Sequence, residues 1–137
     1  MQILIDAITT KLLDSAIYSD VGGRCWYDTS DSDDLPRLVY SIVSGVPDNC
    51  FQKTGESVLM QFDLFSALSA GKTEITTMYA DLTTLFDDCV LTITGKNCVQ
   101  FQRQNLVTMV EDLSALQDGS STCLHWAVDY EIVYQAT

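Results

Sequence analysis

The sequence predicts an α+β fold: a mainly antiparallel sheet of about four to five strands, packed by an N-terminal helix and a central amphipathic helix. Three observations predict it. Residues 124–134 alternate between large apolar and mostly polar side chains, which is typical of a strand with one buried face. Residues 57–65 alternate in the same way, whereas residues 71–88 carry apolar side chains at helical spacing.

The length and composition predict one domain spanning residues 1–137. The chain has 137 residues, of which 47% are hydrophobic, enough for a packed core without cross-links. No apolar run reaches the roughly 20 residues that span a bilayer. The first six residues have no basic segment ahead of an apolar one, so we expect a soluble protein that stays in the compartment where it is made.

The charge of the chain excludes one class of partner. A formal net charge of −12 argues against general attraction to nucleic-acid backbones, which lysine and arginine supply by neutralising phosphates. The seven basic residues are scattered, without a run or stripe. Two interpretations stay open: a solvated acidic surface, or a surface that lies near DNA and must not adhere to it.

The first third of the chain predicts a helix, a short strand and an acidic loop. Apolar spacing predicts an amphipathic helix over residues 3–18, ended by Val21-Gly22-Gly23. Residues 24–27 form a brief strand. The loop over residues 28–34 carries four aspartates, Asp28, Asp31, Asp33 and Asp34. It lacks the central glycine and closing glutamate of a calcium-binding loop, so a solvated loop is predicted.

The remaining elements follow from periodicity and turn residues. Residues 38–43 and 57–65 predict two antiparallel strands joined by a turn-rich connection. Ser69 is a candidate N-cap for the helix over residues 71–88. Residues 90–93 predict a short strand, and residues 98–110 one or two strands with a bend near Asn105. The closing strand turns one face inward, formed by Leu124, Trp126, Val128, Tyr130, Ile132 and Tyr134.

The residues that could carry chemistry do not form a recognisable catalytic, cofactor or metal site. The five cysteines show no C-x-x-C pair and no zinc-site spacing, which favours reduced, mostly buried thiols. Cys123 and His125 could be drawn as a nucleophile pair. However, Cα atoms two apart on a strand are nearly ~7 Å from each other, so activation would need unusual geometry. The chain has no G-x-S-x-G motif and no phosphate-binding glycine loop.

Four segments in order carry a family resemblance over nearly the whole chain. They are Gly22-Gly23-Arg24-Cys25-Trp26-Tyr27, Leu35-Pro36-Arg37-Leu38-Val39-Tyr40, Met60-Gln61-Phe62-Asp63-Leu64-Phe65-Ser66 and Trp126-Ala127-Val128-Asp129-Tyr130-Glu131-Ile132-Val133-Tyr134. Their order and spacing resemble the tail-completion, or tail-terminator, proteins of long-tailed bacteriophages. The acidic loop and residues 98–122 match that pattern least.

The resemblance implies a non-enzymatic virion structural protein. Such proteins form a ring, usually six-fold, on the head-proximal end of the tail tube after synthesis in the host cytoplasm. The ring stops tube growth and offers a surface for head–tail joining. The implied partners are further copies of the chain, the major tail tube protein and the head–tail connector or stopper protein. Genomic DNA passes through the lumen without specific binding, and no cofactor, metal or membrane is implied.

The acidic loop is the candidate site within this resemblance. We expect Asp28, Asp31, Asp33 and Asp34 to face either the lumen or the next subunit, since their charge density lies beside an apolar strand. Two other classes of function stay open. One is a small soluble intracellular protein-binding module that forms no ring, and the other is a cysteine-dependent enzyme that uses Cys123.

Overall fold

A computed structural model describes residues 2–31, 34–47, 55–112 and 122–136. Its α-helices are α1 (Gln2–Leu12), α2 (Ala16–Asp20) and α3 (Gly71–Phe86), with a 3-10 turn over Leu68–Ala70 just before α3. Its strands are β1 (Cys25–Tyr27), β2 (Arg37–Pro47), β3 (Gly55–Ala67), β4 (Thr92–Ile93), β5 (Lys96–Asp112) and β6 (Thr122–Ala136). No helix among these residues is long and apolar enough to cross a membrane.

The strands form one mixed sheet in the order β1-β2-β3-β6-β5-β4. Every neighbouring pair is antiparallel except β1 and β2, which are parallel. The predicted α+β class is confirmed. The sheet differs slightly from the prediction, because it has six strands within the described residues and one parallel pair. The parallel pair places Cys25 opposite Leu38 and Tyr27 opposite Tyr40.

The core lies between one face of the sheet and the helices. Its centre is aromatic: the rings of Phe62 and Phe86 are 4.9 Å apart, and Phe101 and Tyr130 pack beside them. The inward face predicted for β6 is confirmed, since Val128, Tyr130, Ile132 and Tyr134 are buried and Leu124 and Trp126 pack partly against the core. Long strands bury this face because alternation places every second side chain on it.

The single helix predicted over residues 3–18 is wrong, because the chain breaks between α1 and α2. Asp14 has φ 60°, a left-handed conformation that ends α1. Ser15 then caps α2, since its Oγ accepts a hydrogen bond from the N–H of Tyr18 at 3.3 Å. Because the chain breaks here, the side chains of Leu12 and Ile17 are both buried in the core. On one straight helix, these two side chains would point in different directions.

The central helix keeps its predicted buried face but not its predicted cap. Ile75, Met78, Leu82 and Phe86 are fully buried on α3. Ser69 lies within the 3-10 turn, and the residue at the N-cap position, Ala70, makes no side-chain cap bond. The first turn is instead held by Glu74, whose Oε1 accepts a 2.6 Å hydrogen bond from the buried Ser66 at the end of β3.

Residues 98–110 belong to one long strand, β5, with two register shifts. The shift between Arg103 and Asn105 coincides with the predicted bend, and a second lies between Cys98 and Gln100. Each shift inserts an extra residue and bends the strand, which explains the weak alternation of the sequence there. β4 is shorter than predicted. It covers only Thr92–Ile93, and Val90, which is 83% exposed, lies outside it.

Candidate functional site

The acidic loop begins where β1 leaves the sheet. Asp28 donates its backbone N–H to the carbonyl oxygen of Tyr40 on β2 at 2.8 Å, and its φ of 69° then turns the chain away. Asp28, Asp31 and Asp34 are exposed, as a solvated loop requires. Asp33 lies outside the described residues. The described part of the loop therefore starts at the outer margin of the sheet, beside β1 and β2.

A chain of three titratable side chains crosses the sheet face that points away from the core. Oε1 of Glu111 on β5 lies 2.7 Å from Nδ1 of His125 on β6, and Oδ1 of Asp63 on β3 lies 2.7 Å from its Nε2. The Nε2 of Gln61 donates to the same Oδ1 of Asp63 at 2.7 Å. Both imidazole nitrogens therefore face carboxylate oxygens, which favours the imidazolium form, a donor at both positions.

Burial and charge act in opposite directions on His125. Burial disfavours the charged ring, but the hydrogen bonds and negative charges of Asp63 and Glu111 outweigh it, so the pKa of His125 is raised. Asp129, on the same face of β6, has its pKa raised by burial first and then by the negative charge of Asp63. This face thus carries several carboxylates, and two of them favour the protonated form of His125.

Aromatic and cationic groups extend this cluster toward β2. The ring of Phe65 stacks on His125 with centroids 4.2 Å apart, and the guanidinium of Arg37 lies over the Phe65 ring, 4.7 Å from its centroid. A cation over an aromatic face is attracted by the ring quadrupole. Alternation in the sequence predicts His125 on the polar face, as observed, but it does not predict the partners of His125. Strand register must be known before Phe65, Asp63 and Glu111 can be placed beside it.

The possible Cys123–His125 nucleophile pair is not assembled in this geometry. Cys123 is fully buried, and burial raises the pKa of its thiol, which disfavours the reactive thiolate. Both ring nitrogens of His125 already face Asp63 and Glu111 rather than the thiol. Among the described residues, no group of three or more His, Cys, Asp or Glu side chains is arranged to hold a metal ion.

A second carboxyl contact joins the helices. Asp20, the last residue of α2, lies close to Asp81 of α3, and its Oδ2 is buried without a hydrogen-bond partner. Burial, followed by the interaction with the Asp81 carboxyl, raises the pKa of Asp20 to about 6. Since two charged carboxylates repel each other, this contact between α2 and α3 is more favourable when Asp20 is protonated.

Comparisons with known proteins identify the fold through solved structures. No protein family and no curated protein matches the chain in sequence. A solved chain from the virion of a native gene transfer agent particle superposes with a TM-score of 0.61 at 11% identity, covering 93% of this chain and 92% of that one. A second solved structure gives a TM-score of 0.55 at 13% identity, covering 100% of this chain and 96% of its own.

The chain shares its fold with a virion component. The likeness spans nearly the full length of both chains, so it concerns the whole arrangement of sheet and helices rather than one motif. At this identity the likeness describes the fold alone.

Proposed function

We propose that this chain is a non-enzymatic structural protein of a phage-like virion, where it caps the head-proximal end of the tail tube as an oligomeric ring, a hexamer by the resemblance described above. In this role it stops tube growth and provides the surface for head–tail joining. The observation that carries the proposal is the near full-length likeness to a chain of a gene transfer agent virion. The four ordered sequence segments described above support the same family.

The charge of the chain suits a ring around DNA. A net charge of −12 would repel the phosphates of a genome that passes through the lumen, so DNA would move without specific binding. The surface features fit as well, since exposed strand edges and a polar sheet face can serve as contacts for further copies, for the tail tube protein and for the connector. The expected location is the tail of the virion.

Negative-stain electron microscopy of the neighbouring tube protein, polymerised with and without this chain, tests the proposal. We expect tubes that stop growing and carry a ring at one end, whose symmetry the images would give directly. Tubes of unchanged length with this chain left free would contradict the proposal.

The acidic loop supplies a charge variant with a readout of its own. Replacing Asp28, Asp31, Asp33 and Asp34 with asparagine removes the charge that we assign to the lumen or the next subunit, and we expect altered tail joining or DNA passage. Asp6→Asn with Asp14→Asn removes exposed charge elsewhere and serves as the control. Unchanged infectivity of the loop variant would show that the loop has no role in tail joining or DNA passage.

The alternative function is a small soluble intracellular binding module without a ring. Its supporting observation is the polar sheet face around His125, which a protein partner could cover. This alternative predicts a monomer that neither binds nor caps tubes, so the same images distinguish the two.

A further inference from the structure

The sheet ends in two edges that no other strand covers within the described residues. At one end β1 is the outermost strand. At the other end β4 pairs only with Lys96 and Asn97, and the N–H of Asp88 donates to the carbonyl of Phe101 at 3.1 Å. From residue 102 onward the outer edge of β5 has no paired strand in the described part of the chain. The region over residues 102–112 is called the open half of β5 below.

The open half of β5 has a register shift between Arg103 and Asn105 and charged residues near both ends, but its centre is apolar. Val107 and Val110 are 44% and 62% exposed, and the only basic residue on this stretch is Arg103. Natural proteins protect exposed edges with lysines, prolines or covering elements, because unpaired N–H and C=O groups bind another strand. The centre of this edge is therefore able to pair with another strand.

Strand register places β1 at the same level as the open half of β5. Trp26 lies opposite Val39, Val39 opposite Asp63, Asp63 opposite Ala127, and Ala127 opposite Val107. The same chain of pairings places Cys25 directly across the sheet from Thr108, and Tyr27 directly across from Leu106. A second copy placed edge to edge without any shift would thus bring its β1 against the centre of the open half.

The strand directions are also compatible. β1 is parallel to β2, and three antiparallel pairings then lead from β2 through β3 and β6 to β5, so β1 and β5 run in opposite directions. Rotation about a ring axis leaves the direction of a strand along that axis unchanged. A head-to-tail contact between β5 and the next β1 would therefore be antiparallel, which continues the sheet across the interface.

The side chains at the two edges are complementary. Trp26, half-buried, and Val107 would form an apolar pair on one face. Asp28 follows β1 at the level of Asn105, whose side-chain amide can donate a hydrogen bond to a carboxylate. An exposed acid at one edge and an amide donor at the other favour a contact between unlike edges over a contact between two like ones.

We propose that β1 of one copy pairs antiparallel with the open half of β5 of the next copy, so that successive sheets join edge to edge. The contact is heterologous, and Asp28 faces the next subunit rather than the lumen. This interface depends on the proposed function only for the number of copies in a closed ring.

Cysteine cross-linking tests the pairing directly. In an antiparallel pair, Cα atoms at the same level are about 4.5–5.5 Å apart, within disulfide reach. We expect the double variant Asp28→Cys with Asn105→Cys to give a ladder of covalent multimers on mild oxidation, reversed by thiol reductant. Oxidation is done on the concentrated chain alone and after incubation with tube protein.

Control variants distinguish disulfides formed by this pairing from disulfides formed by random collision. Each single variant reports the background from native thiols, which is limited because burial raises the pKa of Cys25 to about 12 and of Cys89 to about 11. The variant Asp28→Cys with Val99→Cys places the second thiol on the covered half of β5, where Val99 is 58% exposed. Equal ladders from the Val99 and Asn105 variants, or no ladder in either sample, would overturn the interface.

A charge variant gives a second readout. Val107→Glu places a negative charge at the proposed contact, and we expect it to abolish the ladder, whereas Val99→Glu on the same strand should leave it intact. Capped tubes without the ladder would refute this interface and keep the proposed function. A ladder without capped tubes would keep the edge pairing and refute the capping role.

Discussion

The hydroxyl of Tyr130 on β6 donates a hydrogen bond of 2.6 Å to Oδ1 of Asp87, the residue that ends α3. The guanidinium of Arg103 reaches the other carboxylate oxygen of Asp87 at 3.3 Å. Burial raises the pKa of Tyr130, and Asp87 raises it further, so the phenol keeps its proton and remains a donor. This contact fixes the end of the central helix on the middle of the sheet.

We expect Tyr130→Phe to lower the free energy of unfolding by about 1–3 kcal/mol, because it leaves a carboxylate oxygen without its buried donor. Urea denaturation of Tyr130→Phe, Asp87→Asn and the double variant would measure the coupling in a double-mutant cycle. The two side chains touch, so their effects should not add. Additive losses would show that the contact contributes nothing to stability.

The single histidine gives a direct test of the polar sheet face. Since His125 is the only histidine, its ring proton signal in an NMR titration is unambiguous. Asp63 and Glu111 raise its pKa against the opposing effect of burial, so the midpoint should lie above the ordinary value of about 6.5. A midpoint below that value would contradict the assigned contacts.

The raised pKa of His125 also predicts how the stability of the protein changes with pH. A raised histidine pKa means that the folded state binds the proton more tightly than the unfolded state does. The stabilisation is fully present below the unfolded pKa and is lost as the pH rises through the folded pKa. We therefore expect His125→Gln to be destabilising at about pH 6 and much less so at about pH 9, as measured by urea denaturation.

The contact between Asp20 and Asp81 follows the same linkage sign, because the pKa of Asp20 is also raised in the folded state, to about 6. The stability that protonated Asp20 contributes is present at low pH and is lost progressively as the pH rises from the ordinary aspartate pKa of 3.8 through about 6. Asp20→Asn keeps a donor toward Asp81 and removes the Asp20 charge. We expect it to stabilise the protein at about pH 7.5 but not at about pH 3.5. Equal effects at both values would refute the raised pKa.

The aromatic centre of the core should dominate stability. Phe86 packs between Phe62 and Phe101, with ring centroids 4.9 and 5.1 Å away. We expect Phe86→Ala to cost about 3–5 kcal/mol, the range for buried aromatic truncations, and to loosen α3. Val90→Ala, at a site that is 83% exposed, is the control and should be close to neutral in thermal denaturation. A small loss for Phe86→Ala would show that the core can collapse around the cavity.

The sequence by itself determined the elements whose periodicity is strong. The inward face of β6 and the buried face of α3 follow from alternation and helical spacing alone, because burial of one face imposes that pattern locally. The polar placement of His125 follows from the same alternation. The order of four short segments carried the family resemblance, since core patterns in sequence record the order in which strands enter the sheet.

Tertiary structure decided everything that depends on residues distant in sequence. The break at Asp14 was not predicted, because an apolar stripe continues across it and only packing against the sheet and α3 separates α1 from α2. The parallel pairing of β1 with β2 depends on the end of the sheet at which the chain enters β2. The Glu111–His125–Asp63 chain depends on register across three strands, and the alignment of β1 with β5 depends on register across five. Register is set by the whole buried face rather than by any local segment.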